Sequence, residues 1–426
     1  MSKSHSLTGI FRALRNPNYR LFFIGQTISL IGTWMQSVAL SWLVYRLTNS
    51  PALLGITAFL GQLPNLLFTP LAGVVADRCQ RRNVLLLTQI ASLIQASTLA
   101  ILVLTGHIQV WHIILLAFCL GTVNAFDIPV RQSFTIEMLE HRDDLANTIA
   151  LNSSMVNMAK LIGPSIAGFF IAFWGEGVCF AFNALSYVAV IGSLLLMQIK
   201  IRHVHRSGHP ILKDIVDGFK YVTDFLPIKY ILLLLGFISF IGAPYQILMP
   251  VFARDIFGGG PKTLGVLMGC SGLGALFGAV YLAGRKTVLG LTRLIAVSAV
   301  IFGAAIIVFS YMPVFIIALT MVCVGSFAMM VCMASCNTIL QTISPEDKRG
   351  RVMSFYTMAF IGTIPFGGLL TAGCVGWLGV KNTELFCGIS AVIAGILFYR
   401  ALPVLRNGIN PIYLQKGILN TFKEGL

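Results

Sequence analysis

The feature that most constrains this chain is a series of twelve runs of roughly twenty mostly apolar residues, the length a helix needs to cross a bilayer. They fall at 21–45, 53–76, 84–105, 110–130, 145–173, 178–198, 230–253, 264–284, 290–310, 313–340, 352–376 and 383–402. Backbone N–H and C=O groups find no water inside a bilayer, so such runs close their hydrogen bonds as helices. Turn chemistry or charge separates them: Asn49-Ser50-Pro51, Asp77-Arg78, Gly106, Gly175-Glu176-Gly177, Gly258-Gly259-Gly260-Pro261 and Pro345-Glu346-Asp347. Of 426 residues, 57% are apolar and 11% charged, against roughly 45–50% and 25% in a soluble domain. So little polar surface cannot cover a chain of this length in water, which excludes an ordinary cytosolic enzyme and a disordered chain. The expected fold is all-α and polytopic, with twelve transmembrane helices.

The charges are unbalanced, 30 Lys+Arg against 15 Asp+Glu, a net +15. Such an excess fits nucleic acid, an anionic membrane surface or a topology signal, and position decides among them. The N-terminal stretch, the loops after even-numbered runs and the C-terminal stretch hold 25 basic residues. The loops after odd-numbered runs hold four, Arg46, Arg254, Lys262 and Lys381, and Lys160 falls inside a run. This split predicts both termini on the cytoplasmic side. No basic stripe interleaves with aromatics, so no nucleic-acid partner is expected. The first 20 residues are polar and basic, and no small-residue cleavage site follows, so no cleaved leader is expected. Eight of the nine cysteines sit in or beside apolar runs without a CxxC pair, which argues against a disulfide framework or a zinc site. Cys332 and Cys336 read as small apolar residues. His203, His205 and His209 lie in a basic loop without the carboxylates or thiols a metal site needs.

That loop, 199–229, is the longest polar stretch. Within it Ile211, Ile215, Val216, Phe219, Val222 and Leu226 line one face of an amphipathic helix. The predicted organisation is a six-helix bundle over 1–198, the cytoplasmic linker 199–229, a second six-helix bundle over 230–402 and a cytoplasmic tail 403–426. Paired halves of this kind hold their substrate near the midplane. Internal similarity agrees: Ala76-Asp77-Arg78-Cys79-Gln80-Arg81-Arg82 is echoed by Ala283-Gly284-Arg285-Lys286, and Glu140-His141-Arg142-Asp143-Asp144 by Pro345-Glu346-Asp347-Lys348-Arg349. Each of the latter pair precedes a run with a mid-span proline, Pro164 or Pro365.

Gly73-Val-Val-Ala-Asp77-Arg78-Cys-Gln-Arg81-Arg82 resembles the loop signature of the major facilitator superfamily, G-x-x-x-D-R-x-x-R-R, with Gln80 where a glycine is usual. Gly163-Pro164-Ser-Ile-Ala167-Gly168 is similar to that family's antiporter motif, which marks exporters more than importers. Gly32-Thr-Trp34-Met-Gln36, Trp42-Leu-Val-Tyr45, Asn124-Ala-Phe-Asp127-Ile-Pro129-Val-Arg131-Gln132 and Ala150-Leu-Asn152-Ser153 look like the enterobactin-exporter branch, with macrolide efflux proteins as more distant relatives. The resemblance implies the two-bundle facilitator fold and a gate at the cytoplasmic mouth built from Asp77, Arg78, Arg81 and Asp127, with Gly73, Gly163 and Pro164 as conformational positions.

The search for charges inside the runs picks out Asp127 and Lys160. Such residues usually face a cavity or a partner. Counted along their helices at about 1.5 Å per residue, Lys160 lies roughly 5 Å from the depth of Asp127. Two readings stand: Lys160 pairs with Asp127, or it meets an anionic substrate. Gln26, Trp34, Gln36, Asn152, Asn157, Tyr245, Gln246 and Asn337 are further candidate substrate contacts, each weighed against a plain helix–helix hydrogen bond. Gly269, Gly272, Gly274 and Gly278 lie inside an apolar run with no preceding strand and no Walker lysine, so they read as close packing. No cofactor or metal is expected.

The expected activity is secondary active efflux. A small amphiphilic, siderophore-like molecule would cross the bacterial inner membrane by alternating access, driven by an ion gradient, with protons as the coupling ion. A macrolide or other drug, or a lysolipid, is the alternative cargo. A polytopic membrane enzyme would need acids and histidines clustered at one depth. Expected partners are a small molecule and the lipid bilayer, with the chain acting as a monomer.

Overall fold

The computed structural model describes residues 12–138, 144–198, 219–242, 245–285 and 287–419. Asn16 opens α1 (Pro17–Thr48): its side chain accepts from the N–H groups of Asn18 and Tyr19, and Pro17 supplies the fixed φ of a first turn. The helix stops at Asn49, left-handed at φ 50°, and Ser50 caps α2 (Pro51–Arg78). Asn49-Ser50-Pro51 is thus a complete stop-and-start signal. Then come α3 (Arg81–Leu104), α4 (Val110–Glu137), α5 (Leu145–Trp174) and α6 (Glu176–Leu196). α5 turns into α6 at Gly175 (φ 81°, ψ 174°), a conformation that a side chain would strain.

The remaining helices are α7 (Leu226–Gly242), α8 (Tyr245–Val251), α9 (Pro261–Ala283), α10 (Leu291–Tyr311), α11 (Phe315–Ile343), α12 (Glu346–Phe360), α13 (Ile364–Arg400) and α14 (Leu402–Gln415). One π turn, Phe252–Ile256, follows α8. Among the described residues eleven segments are long and apolar enough to cross a membrane. The last, Lys348–Arg400, holds 53 residues, or roughly 80 Å of helix where about 30 Å spans the hydrocarbon. It breaks at Gly379 (φ 76°, ψ 164°), so it makes two crossings and the expected twelve are reached.

Packing divides the chain into two units. One holds Met1–Ser207 with Met249–Gly269, the other Gly208–Leu248 with Cys270–Leu426. In the first, α1 packs on α5 and α6, α2 on α4, and α3 on α4 and α6. In the second, α7 packs on α13, and α10 on α11 and α13. Three pairings therefore recur: α1–α6 as α7–α13, α3–α6 as α10–α13, and α3–α4 as α10–α11. Gly175 and Gly379 turn the chain at nearly the same φ and ψ in corresponding places. Each unit leaves large apolar side chains outward, such as Leu185 at 70% and Trp377 at 93% exposure, the surface a bilayer covers.

Two expected features take a different form here, and a third lies largely outside the described residues. Most of the predicted amphipathic linker helix lies outside the described residues; 219–224 is helical, and the Phe219 ring lies 6.2 Å from that of Phe355 of α12, tilted by 50°. The presumed tail forms α14, whose Leu402, Leu405, Ile409 and Tyr413 are buried. Pro365 opens α13 after a break at 361–363 rather than kinking a continuous helix. A proline fits a first turn, where its missing N–H has no partner to lose.

Candidate functional site

A buried polar seam runs through the first unit. Thr88, Ser92 and Gln95 recur at helical spacing on one face of α3, Asn183 and Tyr187 on α6, and Thr33 and Gln36 on α1. Asp127 of α4, 4% exposed, accepts from Thr88 Oγ1 at 2.9 Å and Gln89 Nε2 at 2.8 Å. Its other oxygen lies 3.4 Å from Arg131 Nε, one turn on. Gln36 donates to Gln95 at 3.1 Å, and Asn183 donates to Gln36 at 2.8 Å and to Tyr187 at 3.4 Å. The Tyr187 hydroxyl also lies beside Thr33 and Ser92. Four helices are thereby held in register, since polar side chains in an apolar interior satisfy one another.

Lys160 stands apart from this seam. Its Nζ lies 5.6 Å from the Trp34 ring centroid, a cation–π distance. It has no carboxylate partner among the described residues, and the partners of Asp127 are those just named. The Lys160–Asp127 pair is therefore not formed. Three residues on, Gly163 faces α1: a Cβ there would stand 2.6 Å from Trp34 Cβ and 3.0 Å from the Ile31 carbonyl oxygen. Pro164 has no N–H, so the Lys160 carbonyl loses its helical partner. Gly168 faces α9, where a Cβ would stand 2.7 Å from Gly265 Cα and from the Pro261 carbonyl oxygen. The glycine-proline motif is thus a face of close approach on two sides of α5.

Of the expected gate, Arg81 and Asp127 each hold a partner of their own, and the side chains of Asp77 and Arg78 lie outside the described residues. Arg81, the first residue of α3, pairs with Glu137 at the last residue of α4. α3 and α4 run antiparallel, so Asp127 meets Thr88 and Gln89, two turns further along α3, and takes Arg131 instead. α2 passes through Gly73, Asp77 and Arg78, whose side chains lie outside the described residues. Elsewhere, Arg82 donates to the carbonyls of Leu194 and Leu195 at 2.8 and 3.0 Å, closing the end of α6.

At the opposite ends of these helices, segment 249–269 packs within the same unit. The Tyr45 hydroxyl donates to Asp255. Arg254 donates to Asn49 Oδ1 at 2.6 Å and lies 5.8 Å from the Tyr45 ring. Beside them Arg46 grips Glu176 with two hydrogen bonds, at 2.7 and 3.3 Å. Lys262 sits 4.3 Å from the Phe173 ring. Sequence reading passed over Glu176 and Asp255 because both border runs, where acids read as loop residues.

In the second unit, Tyr245 makes hydroxyl–hydroxyl bonds to Ser271 at 2.9 Å and Ser326 at 2.8 Å. Gln246 donates to Tyr245 and Ser271 at 3.3 and 3.2 Å. Asn337 accepts from Gln341, one turn on, at 2.5 Å. In the first unit Gln26 is buried with its oxygen unpartnered, Asn157 bonds its own helix at Ser153, and Asn152 is half-buried. Gln36, Tyr245 and Gln246 thus act between helices. Gly278 of the glycine-rich run approaches the Phe327 carbonyl oxygen to 2.9 Å, a packing contact. Glu384 corrects the count of intramembrane charges. It is 1% exposed, and neither carboxylate oxygen has a hydrogen-bond partner. It escaped the search because it stands at the lip of the last run, beside Lys381.

Twelve apolar crossings in two units with recurring pairings, each bearing buried polar groups, define a multi-pass membrane transporter. The fold is that of solved facilitators: a bacterial homologue of the human lysosomal transporter Spinster superposes with TM-score 0.73 at 14% identity, covering 92% of this chain and 98% of that one. A POT family transporter also gives 0.73, at 13% identity, covering 91% and 96%. The chain belongs to the transmembrane secretion effector family of the major facilitator superfamily, matched over residues 8–410. It is 26% identical to the staphyloferrin A transporter of Staphylococcus aureus, covering 89% of this chain and 95% of the relative. It is 24% identical to an enterobactin exporter of Shigella boydii (95% and 97% covered) and 23% to macrolide efflux protein A of Streptococcus pyogenes (89% and 96%).

Proposed function

We propose that this chain is a secondary active exporter that carries a small, anionic, amphiphilic molecule of the siderophore kind out of the cytoplasm. It sits in the bacterial inner membrane with both termini inside, as the 25-to-4 split of basic residues favours. The observation that carries the reading is Lys160: a cation in a membrane span, backed by Trp34, with no acidic partner among the described residues. A cation in that position is costly unless something anionic visits it, and a flat aromatic beside it suits a ring-bearing acid. Relatives named for siderophore transport favour this cargo over a drug. Coupling to protons needs a titratable group in each conformational cycle, and Asp127 and Glu384, buried acids not engaged as Glu176 is with Arg46, are the candidates.

The test is transport by the purified protein in liposomes, with and without a proton gradient, for an anionic siderophore and a neutral dye. Lys160→Ala should lower siderophore export at least tenfold and leave the dye nearly unaffected. Equal loss of both would count against the cavity role. Metabolite profiling of a deletion strain under iron limitation should reveal intracellular siderophore. If only macrolide accumulation changed, the cargo would be a drug instead.

A further inference from the structure

Three acids among the described residues are buried, and two of them are engaged: Asp127 by Thr88, Gln89 and Arg131, and Glu176 by Arg46. Glu384 is the third. It is 1% exposed, and no donor reaches either carboxylate oxygen. It stands five residues past Gly379, where α13 turns back, so roughly 7 Å along the helix from that turn. No counter-charge faces it. On its own helix Lys381 is exposed, and Cys387, one turn on, lies beside Glu384, Thr371 and Cys374. α10 packs against this limb of α13: Gly388, a turn beyond Glu384, faces the Gly303 carbonyl and Ile307. α10 carries Arg293 in its first turn, at the far end, and Tyr311, which donates to Asn382. α7, which also packs on α13, has Lys229 and Tyr230 near its start, and α14 begins only beyond the far end of α13.

A carboxylate shut off from water with no donor and no cation is far more costly than the uncharged acid. These surroundings therefore suit a carboxyl group that carries its proton. The cover above it is thin. Thr383 Oγ1 donates to the Gly379 carbonyl at 2.8 Å, Asn382 Nδ2 donates to the Leu378 carbonyl at 2.9 Å, and Tyr311 bonds Asn382. These are local bonds, the last two exposed, which a shift of the turn can break. We propose that Glu384 is the coupling-proton site, loaded from the outer side and held occluded in this conformation. This role presupposes the exporter reading and its orientation, and it favours Glu384 over Asp127, whose carboxylate is committed to the helices around it. In the loading step hydronium gives its proton to one carboxylate oxygen and leaves water. After the conformational change the acid returns that proton to water on the cytoplasmic side.

The first readout needs no cargo. Infrared difference spectra of the purified full-length protein, wild type minus Glu384→Gln, should contain the C=O stretch of a protonated carboxylic acid at neutral pH, shifted in heavy water. A carboxylate band in its place would overturn the proposal. Glu384→Leu supplies the same difference if the glutamine variant does not fold. The second readout is transport in proteoliposomes, with a catecholate siderophore and a neutral dye as probes, taken on whichever the wild type exports. A proton gradient should raise wild-type export at least tenfold. Glu384→Gln should lose that stimulation while keeping gradient-free exchange of the same probe, and Glu384→Asp should regain part of it. Stimulation that survives in Glu384→Gln, or a wild type indifferent to the gradient, would overturn the proposal. Obtained with the dye alone, the expected pattern supports the proton site while refuting the siderophore cargo. Export of neither probe would sink the exporter reading and this role with it.

Discussion

Asp127 and Glu384 are both buried acids, yet their surroundings predict opposite responses to the same change. Asp127 accepts two hydrogen bonds and faces Arg131. Leucine there would strand Thr88, Gln89 and a partly buried guanidinium, at a cost of about 2–4 kcal/mol. Glu384 has no partner on either oxygen. Leucine there removes an unsatisfied group of similar volume and should stabilise the protein by about 1–3 kcal/mol. Thermal unfolding of the two variants should therefore move the melting temperature down for Asp127→Leu and up for Glu384→Leu. If Glu384 carries the coupling proton, the stabilised variant should also lose gradient-driven transport while retaining exchange. Parallel shifts in both variants would refute the contrast. Asp127 was legible in the sequence because a lone acid deep in an apolar run is unmistakable. Glu384 was not: at the edge of a run, burial depends on how a turn at Gly379 folds back, and no local pattern encodes that.

Helices were legible for a simple reason, since length and apolarity dictate them in a membrane and caps such as Asn16 and Ser50 fix their starts. What they pack against was not. Gly163 and Gly168 stood out as a motif, but only the structure assigns one to α1 and the other to Gly265 of α9. The neighbours of Gly168 are backbone atoms, 2.7 Å from an added Cβ, so no rotamer change can make room. Gly168→Val should force α5 off the start of α9, lower stability by about 1–3 kcal/mol and depress transport more than stability alone explains. Gly192, on α6, has nothing within 4 Å of an added Cβ. Gly192→Ala should instead gain about 0.5–1 kcal/mol from helix propensity. Melting curves of the pair measure both effects, and a harmless Gly168→Val would show that the close approach is not maintained in the membrane.

At the scale of the whole molecule, segment 249–269 follows α7 in sequence but packs with α1 and α5, and α9 passes from one unit into the other at Gly269. Charge counting anticipated basic residues in this loop without saying what they hold. Arg254 and Asp255 grip Asn49 and Tyr45, the residues that end α1. Alternating access requires some set of contacts to part and re-form on each cycle, and a bond made in only one state biases the balance between states. A hydrogen bond with an exposed acid contributes about 0.5–1.5 kcal/mol, so losing the Tyr45–Asp255 bond should shift the populations by about two- to twelvefold. A cysteine at Ser165, which adjoins Gly269, reports on this region once the nine native cysteines are replaced. Tyr45→Phe and Asp255→Asn should each raise its labelling rate by that factor. Because they delete the same bond, the double variant should do no more than either alone. An unchanged rate, or effects that simply multiply, would mean that the contact only shapes the loop and takes no part in the transport cycle.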